Sequence, residues 1–374
     1  MADHSSGPRP RVLMILNNAP DYREPFLREV SRSIELTVLA RPCEPDGLVP
    51  PAERIGYTYL ERPARRFFGM VWQRDVRRIV QETDWDIICS SINMREIGRI
   101  RTFRTNRILH KKWIWWGHIY GSTPLPGLAG MRRSLLKQSA GALVFNDDIA
   151  GRVREEFGIP AWSFNNTQVR ISDFRQGAFL PATAPTRDGK LQMLFVGRYQ
   201  PRKQLERLVA LAERMPEVAT RLVGPGMEAI NVPSGLKATG RVRCFGRTVG
   251  EELHEHFDWA DLVVNPGHVG LLVMNAAQHG KGIVIDSSSS HAPEYLLARE
   301  AGQPFIDFSR ESEVDDFVRS IVGVPDVSDA GTTLREWGER LQQVAKERYT
   351  IEHMAAVHRS AFESVFPTGN RPFN

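Results

Sequence analysis

The stretch LFVGRYQPRKQLERLV, residues 194–209, decides how the rest of the chain is interpreted. A short apolar run ends at Gly197, a loop carrying Arg198, Arg202 and Lys203 follows, and an amphipathic segment comes next. This order predicts a buried strand, a basic loop and a helix over 203–215. Such units are typical of parallel α/β sheets, in which ligands bind at the carboxyl ends of the strands.

The same alternation of apolar runs and amphipathic segments extends in both directions from this stretch. Further strands are predicted at 11–18, 34–40, 85–91, 113–118, 141–146, 160–165, 219–224, 242–246, 261–266 and 283–287. Helices are predicted between them, including one that starts at a capping box of Asp21 and Glu24, one over 69–82 and one with Asp147 as its N-cap. The pattern predicts two doubly wound α/β domains.

The domain boundaries follow from a change of composition. Asn, Thr, Pro, Ala and Gly replace the periodic apolar residues over 165–189. We therefore predict a first domain over 1–168, a linker over 169–189 and a second domain over 190–350, followed by an amphipathic helical segment over 351–374.

Composition excludes several classes of protein. The chain has 374 residues, of which 41% are hydrophobic and 25% are charged, as in ordinary globular proteins. No apolar run approaches the roughly 20 residues of a membrane-spanning helix, and no secretory signal opens the chain, so a cytoplasmic location is expected. The three cysteines lie far apart, which argues against a zinc or iron–sulfur site and fits a reducing compartment.

The net charge of +5 permits an anionic partner, such as a phosphorylated ligand or a membrane surface. No nucleic-acid-binding module is visible, so nucleic acid is not an expected partner. The basic loop itself has two interpretations. In the first, its cations neutralise a diphosphate without a metal ion, and Gly197, which has no side chain, lets the backbone approach that ligand. In the second, the loop is a solvated basic loop at the start of a helix.

Four segments carry a resemblance to a known family. They are VGRYQPRK (196–203), LVGPG (222–226), FGRTVGEELHEHFDWADLVVNPG (245–267) and GLLVMNAAQHGKGIVI (270–285). In order and spacing the chain resembles, over about 190–300, the nucleotide-sugar domain of retaining GT-B glycosyltransferases of the family-four type. The resemblance implies two Rossmann-like domains facing a central cleft, with the final helix over 351–374 crossing back to the first domain.

The resemblance also implies roles for individual residues. Arg198 and Lys203 correspond to the pair that holds the donor diphosphate and stabilises charge on the departing nucleotide. Gly246, Arg247 and Thr248 correspond to a loop that meets the base, or they form an ordinary turn. The full set expected to bind the donor is Gly197, Arg202, Gly246, Arg247, Thr248, His268, Gly270, Leu271, Asn275 and Glu294.

The chain departs from the family at a pair of glutamates. Alignment on Gly270 and Leu271 places Gly267 and Asn275 where the family has carboxylates. Asn275 can still bind a ribose diol through its amide, whereas sugar recognition must differ, with His268 or Glu294 as substitutes. The alternatives are that Asn275 is a polar helix residue, that Glu294 stabilises a helix dipole, and that the protein binds donor without catalysis.

In the first domain, His118 follows an apolar strand and is expected near the donor sugar and acceptor; the alternative is a histidine bound to a backbone carbonyl. Asn17, Tyr22 and Arg23 follow the first strand and are expected to bind the acceptor, although Arg23 could form a surface salt bridge. The tryptophans of the 113–118 strand are expected mostly in the core.

Residues 95–112 contain seven Lys and Arg against one acidic residue. This segment is either a solvated helix face or a surface that docks on an anionic membrane, where acceptors are often lipid-linked. The nearby apolar residues, Phe67, Phe68, Met70, Val71 and Trp72, are correspondingly either core or membrane-facing.

Taken together, these features predict a glycosyltransferase. It would move a hexose-type sugar from a nucleotide-diphosphate donor, UDP before GDP, to a hydroxyl of a carbohydrate or lipid-linked acceptor, with retention. The donor is a substrate, and no cofactor or metal is expected. Such an enzyme would make surface polysaccharide or glycoconjugate, in the cytoplasm or at the inner face of the membrane. A sugar-nucleotide epimerase or phosphorylase on the same fold and a non-catalytic nucleotide- or glycan-binding protein are the alternatives.

Overall fold

The computed structural model describes residues 9–120, 128–175, 190–322 and 327–366. The chain divides into two compact units. The first contains Met1–Gln168 together with Ile351–Asn374, and the second contains Val169–Thr350. The first unit is therefore assembled from both ends of the sequence.

The first unit is an α/β unit. Its strands are β1 (Arg11–Asn18), β2 (Glu35–Arg41), β3 (Thr58–Glu61), β4 (Ala64–Phe67), β5 (Met70–Gln73), β6 (Ile87–Ser91), β7 (Trp113–Trp116), β8 (Gly141–Val144) and β9 (Ala161–Ser163). Its helices are α1 (Glu24–Val30), α2 (Val76–Glu82), α3 (Ile97–Thr105), α4 (Leu128–Lys137), α5 (Asp147–Phe157) and, from the end of the chain, α13 (Ile351–Val365).

Seven of these strands form one parallel sheet in the order β3-β2-β1-β6-β7-β8-β9. Residues Val12–Ile15 of β1 are completely buried, which explains why this strand is an unbroken apolar run: helices cover both faces of a parallel sheet. The strand order reverses between β1 and β6, so the carboxyl ends of these two strands form the switch point of the sheet.

Helix α13 completes the core of the first unit. Ile351, Met354 and Phe362 join the buried cluster that contains Phe26 and Trp116. The helix is also held by its histidine: the Trp116 Nε1–H donates to His358 Nε2 at 2.9 Å, and His358 Nδ1 donates to the Met354 carbonyl at 2.7 Å. Burial lowers the pKa of His358 to about 3, so this side chain is neutral.

The second unit has the same kind of architecture. Its strands are β10 (Leu191–Val196), β11 (Val218–Val223), β12 (Val242–Phe245), β13 (Leu262–Asn265), β14 (Ile283–Asp286) and β15 (Phe305–Ile306). Its helices are α6 (Glu206–Arg214), α7 (Ser234–Ala238), α8 (Glu251–Trp259), α9 (Leu272–Gln278), α10 (Tyr295–Glu300), α11 (Glu311–Val322) and α12 (Val327–Arg348). The parallel sheet has the order β12-β11-β10-β13-β14-β15, with its switch point between β10 and β13.

The prediction of two doubly wound α/β domains is confirmed, but some element boundaries are wrong. The helix predicted over 69–82 begins only at Val76, because residues 70–73 form β5 and pair antiparallel with β4. Asn146, not Asp147, is the N-cap of α5, and its side chain accepts the Ile149 N–H.

The chain also differs from the predictions at its first helix and at its linker. No capping box of Asp21 and Glu24 forms: a 3-10 turn over Asp21–Arg23 precedes α1, and Glu24 instead contacts the Tyr57 hydroxyl. Val169 and Phe174, at the start of the predicted linker, pack in the second core, and residues 176–189 lie outside the described part of the chain.

Candidate functional site

The loop after β10 carries the basic residues of the second unit. Pro201–Lys203 form a 3-10 turn in which the Lys203 N–H donates to the Gln200 carbonyl at 2.8 Å. Gln204 follows in the left-handed conformation, with φ 54°, so α6 begins at Glu206 rather than at 203 as predicted. Lys203 consequently belongs to the loop at the carboxyl end of the strand.

The loop after β13 lies directly against this turn. The His268 N–H donates to the Arg202 carbonyl at 2.9 Å, and Lys203 Nζ donates to the His268 carbonyl at 2.6 Å. A Cβ on Gly267 would lie 2.5 Å from the Arg202 oxygen and 2.8 Å from the Lys203 carbonyl carbon. No side chain fits at 267 in this arrangement, which gives a steric reason for the missing first glutamate of the related family.

Backbone contacts link the loop after β10 to its other neighbours as well. The Gly197 N–H donates to the Val223 carbonyl at 2.9 Å, and the Gly224 N–H donates to the Phe245 carbonyl at 3.0 Å. Gly224 has φ 140°, and a Cβ there would overlap the Gly197 carbonyl. The loops after β10, β11 and β12 therefore meet at one edge of the sheet, and the predicted base-binding residues Gly246, Arg247 and Thr248 come directly after β12.

The charged side chains at this edge of the sheet influence the pKa of Lys203. Burial, followed by the repulsion of Arg202 and, more weakly, of Arg198, lowers the pKa of Lys203 to about 8, while Glu294 acts in the opposite direction. Glu294 is 7% exposed and immediately precedes α10. The structure thus brings together four of the predicted residues: three cations and one carboxylate.

The lowered pKa of Lys203 predicts a pH dependence. A lysine carries its charge below its pKa, so the cation is lost as the pH rises through about 8. If Lys203 binds the donor, kcat/KM for the donor should fall above about pH 8, approaching tenfold per pH unit. Steady-state kinetics from about pH 6.5 to about pH 9.5 would measure this. In Lys203→Arg, whose side chain stays charged, the decline should disappear; the same decline in that variant would contradict the assignment.

Two histidines beside the cations have environments that favour the neutral ring. His268 Nδ1 donates to the Ser290 carbonyl at 2.6 Å, and burial with the nearby Arg202 and Lys203 lowers its pKa. His291 Nδ1 accepts the Val269 N–H at 3.3 Å, so Nε2 carries the proton and donates to the Asp286 carbonyl at 2.8 Å. Burial lowers the pKa of His291 too. The sequence analysis quoted His291 within HAPE but gave it no role.

Asp286, which sequence reasoning missed, organises the loop that holds His268. It is completely buried at the end of β14, and it forms an ion pair with Arg207 at 3.5 Å. Arg207 also donates to the Pro266 carbonyl at 3.2 Å. Asp286 accepts bonds from Ser288 at 3.0 Å, from Ser289 and from the Phe308 N–H. The sequence does hold a signal for this residue: Asp286 ends an apolar strand and is followed by four serines that can donate to its carboxylate.

Asn275 lies in α9, which begins just after Gly270 and Leu271. The Asn275 carbonyl accepts a hydrogen bond of 2.8 Å from His279 Nδ1, and His279 Nε2 lies 2.7 Å from His254 Nδ1. Burial lowers the pKa of His279 to about 4, so His254 is the donor in this pair. These bonds fix the backbone of α9; a role for the Asn275 amide in ribose binding stays a prediction.

The chain is similar to known proteins in its fold and not in its sequence. No protein-family model and no curated protein matches the sequence. Among solved structures, sucrose-phosphate synthase from Thermosynechococcus elongatus is similar, with a TM-score of 0.64 and 13% identity over 95% of this chain and 99% of that one. The chain has the GT-B fold.

Two further solved structures are similar over nearly the whole chain. WaaG, a glycosyltransferase involved in lipopolysaccharide biosynthesis, gives a TM-score of 0.56 at 13% identity, over 95% of this chain and 100% of that one. A Listeria monocytogenes protein assigned as a UDP-N-acetylglucosamine 2-epimerase gives 0.57 at 13% identity, over 98% and 99%. The predicted GT-B fold and the resemblance to GT-B glycosyltransferases are thereby confirmed.

In the first GT-B unit, the predicted acceptor residues follow β1. The Asn17 side-chain oxygen accepts a hydrogen bond of 2.9 Å from Arg99. Arg23 is 9% exposed, donates to the Asn166 side chain at 2.8 Å and lies over the Trp116 ring, 5.3 Å from its centroid, so it is not a surface residue. Tyr22, half-buried, lies beside it.

His118 follows β7 as predicted. Its side chain is exposed, and its ring lies 4.3 Å from that of Phe145, between centroids. Trp113, Trp115 and Trp116 are buried, which confirms the prediction that these tryptophans belong mostly to the core.

The basic segment 95–112 is only partly a surface. Ile100 and Phe103 pack in the core, and Arg99 is 1% exposed and donates to the Leu16 carbonyl and to Gln73. Within the described residues, no helix is long and apolar enough to span a membrane. In the same part of the chain, no group of three or more His, Cys, Asp and Glu could hold a metal ion.

Proposed function

We propose that this chain is a glycosyltransferase that transfers a sugar from a nucleotide-diphosphate donor to a hydroxyl of a carbohydrate or lipid-linked acceptor, in polysaccharide or glycoconjugate synthesis. One observation carries the proposal. Arg198, Arg202 and Lys203 are gathered at the switch point of the second sheet, where ligands of doubly wound folds bind. Three cations at one sheet edge suit an anionic diphosphate, with UDP favoured and GDP next.

The cations would act on the leaving group. As the bond from the anomeric carbon to the phosphate oxygen breaks, negative charge grows on the diphosphate, and cations fixed beside it stabilise that charge. On the retaining route, the acceptor oxygen bonds to the anomeric carbon on the same face, and its proton passes to the departing phosphate oxygen. No carboxylate nucleophile enters this route, and Arg198, Arg202 and Lys203 supply positive charge without a metal ion.

The remaining predicted residues would select the donor. Gly267 excludes a carboxylate at the family's first position, so recognition of the sugar would pass to neighbouring groups. The His268 ring donates through Nδ1, which leaves Nε2 as an acceptor for a sugar hydroxyl. Glu294 would accept from hydroxyls of the sugar or ribose, Asn275 would bind the ribose, and the 246–248 loop would meet the base.

A panel of nucleotides and donors tests the proposal. UDP should raise the melting temperature most, GDP less and ADP least. A ligand that binds the folded protein at a hundred times its Kd stabilises it by roughly 2.7 kcal/mol, which is a measurable shift. UDP-sugars should then be turned over with an acceptor sugar, and NMR of the product should show the anomeric configuration of the donor. The absence of a shift with every nucleotide would refute donor binding and favour a scaffold.

An epimerase is the second candidate, and the similarity to the Listeria protein is the observation that favours it. An epimerase would convert UDP-N-acetylglucosamine without any acceptor. We expect chromatography of an acceptor-free reaction to show unchanged sugar nucleotide. Appearance of an epimer under these conditions would replace the transferase proposal.

A further inference from the structure

A small hairpin stands apart from the large sheet of the first unit. Strands β4 and β5 pair only with each other among the named strands, with Ala64 opposite Gln73 and Phe67 opposite Met70. The connection is the two-residue loop Phe68-Gly69, in which φ is 45° and 73°. Loops with two positive φ values strongly favour Asn or Asp before Gly, so a phenylalanine there is unfavourable for the fold.

The tip of this hairpin is apolar and exposed. Phe67 is 74% exposed and Phe68 is 90% exposed, and their rings contact edge to face with 4.4 Å between centroids. The base, by contrast, is fixed: Val71 is 8% exposed and its N–H donates to the Arg95 carbonyl at 2.7 Å. The hairpin therefore presents two aromatic rings to the solvent on an anchored support.

Positive charge is concentrated in and beside the hairpin. Within the described residues, five exposed arginines near the hairpin have no carboxylate partner: Arg65, Arg74, Arg77, Arg101 and Arg104. The Asp75 carboxylate, which also lies beside the hairpin, pairs with two other arginines, Arg62 and Arg78. This distribution gives the surface around the hairpin an unbalanced positive charge.

Two grooves border the hairpin, and both combine an apolar lining with arginine. One, of about 510 Å³, is lined by Met70, Met94, Ile97, Ile100 and Met131, with Arg101 and Arg104. The other, of about 430 Å³, includes Trp72, Val76, Arg77 and Arg101. Trp72 is itself 43% exposed. Apolar side chains and arginines thus lie side by side in both grooves.

We propose that the hairpin tip inserts into an anionic phospholipid bilayer, with Phe67 and Phe68 among the acyl chains and the surrounding arginines at the level of the lipid phosphates. Apolar rings on a projecting loop with cations behind them match the layered chemistry of a membrane interface. The surface joins two segments that the sequence analysis singled out: α3 of the basic segment contributes Arg101 and Arg104, and the apolar contact comes from Phe67 and Phe68. The inference does not depend on the proposed transferase activity.

Vesicle co-sedimentation of the full chain tests this surface. Vesicles of phosphatidylcholine alone would be compared with vesicles containing about 30% phosphatidylglycerol. The wild-type protein should sediment with the anionic vesicles and much less with the neutral ones. The double variant Phe67→Ser/Phe68→Ser should reduce the partition coefficient by about tenfold or more, and Arg101→Gln/Arg104→Gln by a similar factor.

Ile171→Ser is the matched control, because Ile171 is a 57% exposed apolar residue of the second unit, and it should bind like the wild type. All the changed side chains are exposed, so melting temperatures should stay within a degree or two, which separates loss of binding from loss of folding. The proposal is overturned if the wild type ignores anionic vesicles, or if the phenylalanine variant binds them as tightly as the wild type.

Discussion

Lys203→Ala should lower turnover of the nucleotide-sugar donor by about 10²–10³, the usual loss when one preorganised charge stabiliser is removed. The ammonium is held by the His268 carbonyl, so it is fixed before any ligand arrives, and the charges of Arg202, Glu294 and Arg198 act on it. A fixed cation stabilises the leaving diphosphate more in the transition state than in the ground state, so kcat should fall more than KM rises.

Two control variants accompany this measurement. Lys237→Ala removes an exposed lysine of the same unit and should leave turnover unchanged. Lys203→Arg, which restores the charge with a different shape, should recover part of the loss. Folding is checked by the melting temperature without ligand. Turnover of Lys203→Ala within about threefold of the wild type, in a folded protein, would remove this residue from the mechanism.

Gly267→Ala should damage both the stability of the second unit and its use of the donor. The new Cβ would lie 2.5 Å from the Arg202 oxygen, which is backbone and cannot swing aside as a side chain would. The turn that carries Arg202 and Lys203 must then move. We expect a stability loss of about 1–3 kcal/mol and a fall in kcat/KM of roughly tenfold to hundredfold.

Gly235→Ala is the control for that substitution, because a Cβ at 235 meets no atom within 4 Å. It should keep full activity and stability. Thermal unfolding and steady-state kinetics of both variants decide the matter. If Gly267→Ala were as stable and as active as Gly235→Ala, the contact between the two loops would not matter for either folding or donor use. Gly267→Glu should fare worse than alanine, even though it restores the residue found in the related family.

Much of this arrangement could be predicted from local sequence. Apolar runs mark buried parallel strands, and residues just after them must lie at the carboxyl edge of the sheet. Arg198, Lys203 and His268 could be placed near one another for that reason alone. The missing glutamate at 267 was visible too, although only the distance from Gly267 to the neighbouring turn explains it.

Features set by tertiary contacts could not be predicted in the same way. The start of α6 depends on Gln204 adopting a left-handed conformation, which its sequence does not favour. The helix predicted over 69–82 wrongly includes β5, because a short aromatic segment fits either period. The ion pair of Arg207 with Asp286 joins positions 79 residues apart, and nothing local to either indicates the other.

Helix α13 has a consequence for the biogenesis of the chain. Ile351, Met354 and Phe362 belong to the core of the first unit, yet the whole second unit is translated before them. Until this helix is translated, the buried cluster that contains Phe26 and Trp116 therefore lacks part of its cover. Residues Val169–Thr350, by contrast, can form their own core as soon as they leave the ribosome. A chain cut after Thr350 would keep that second core and leave the first permanently open, a natural target for chaperones and proteases.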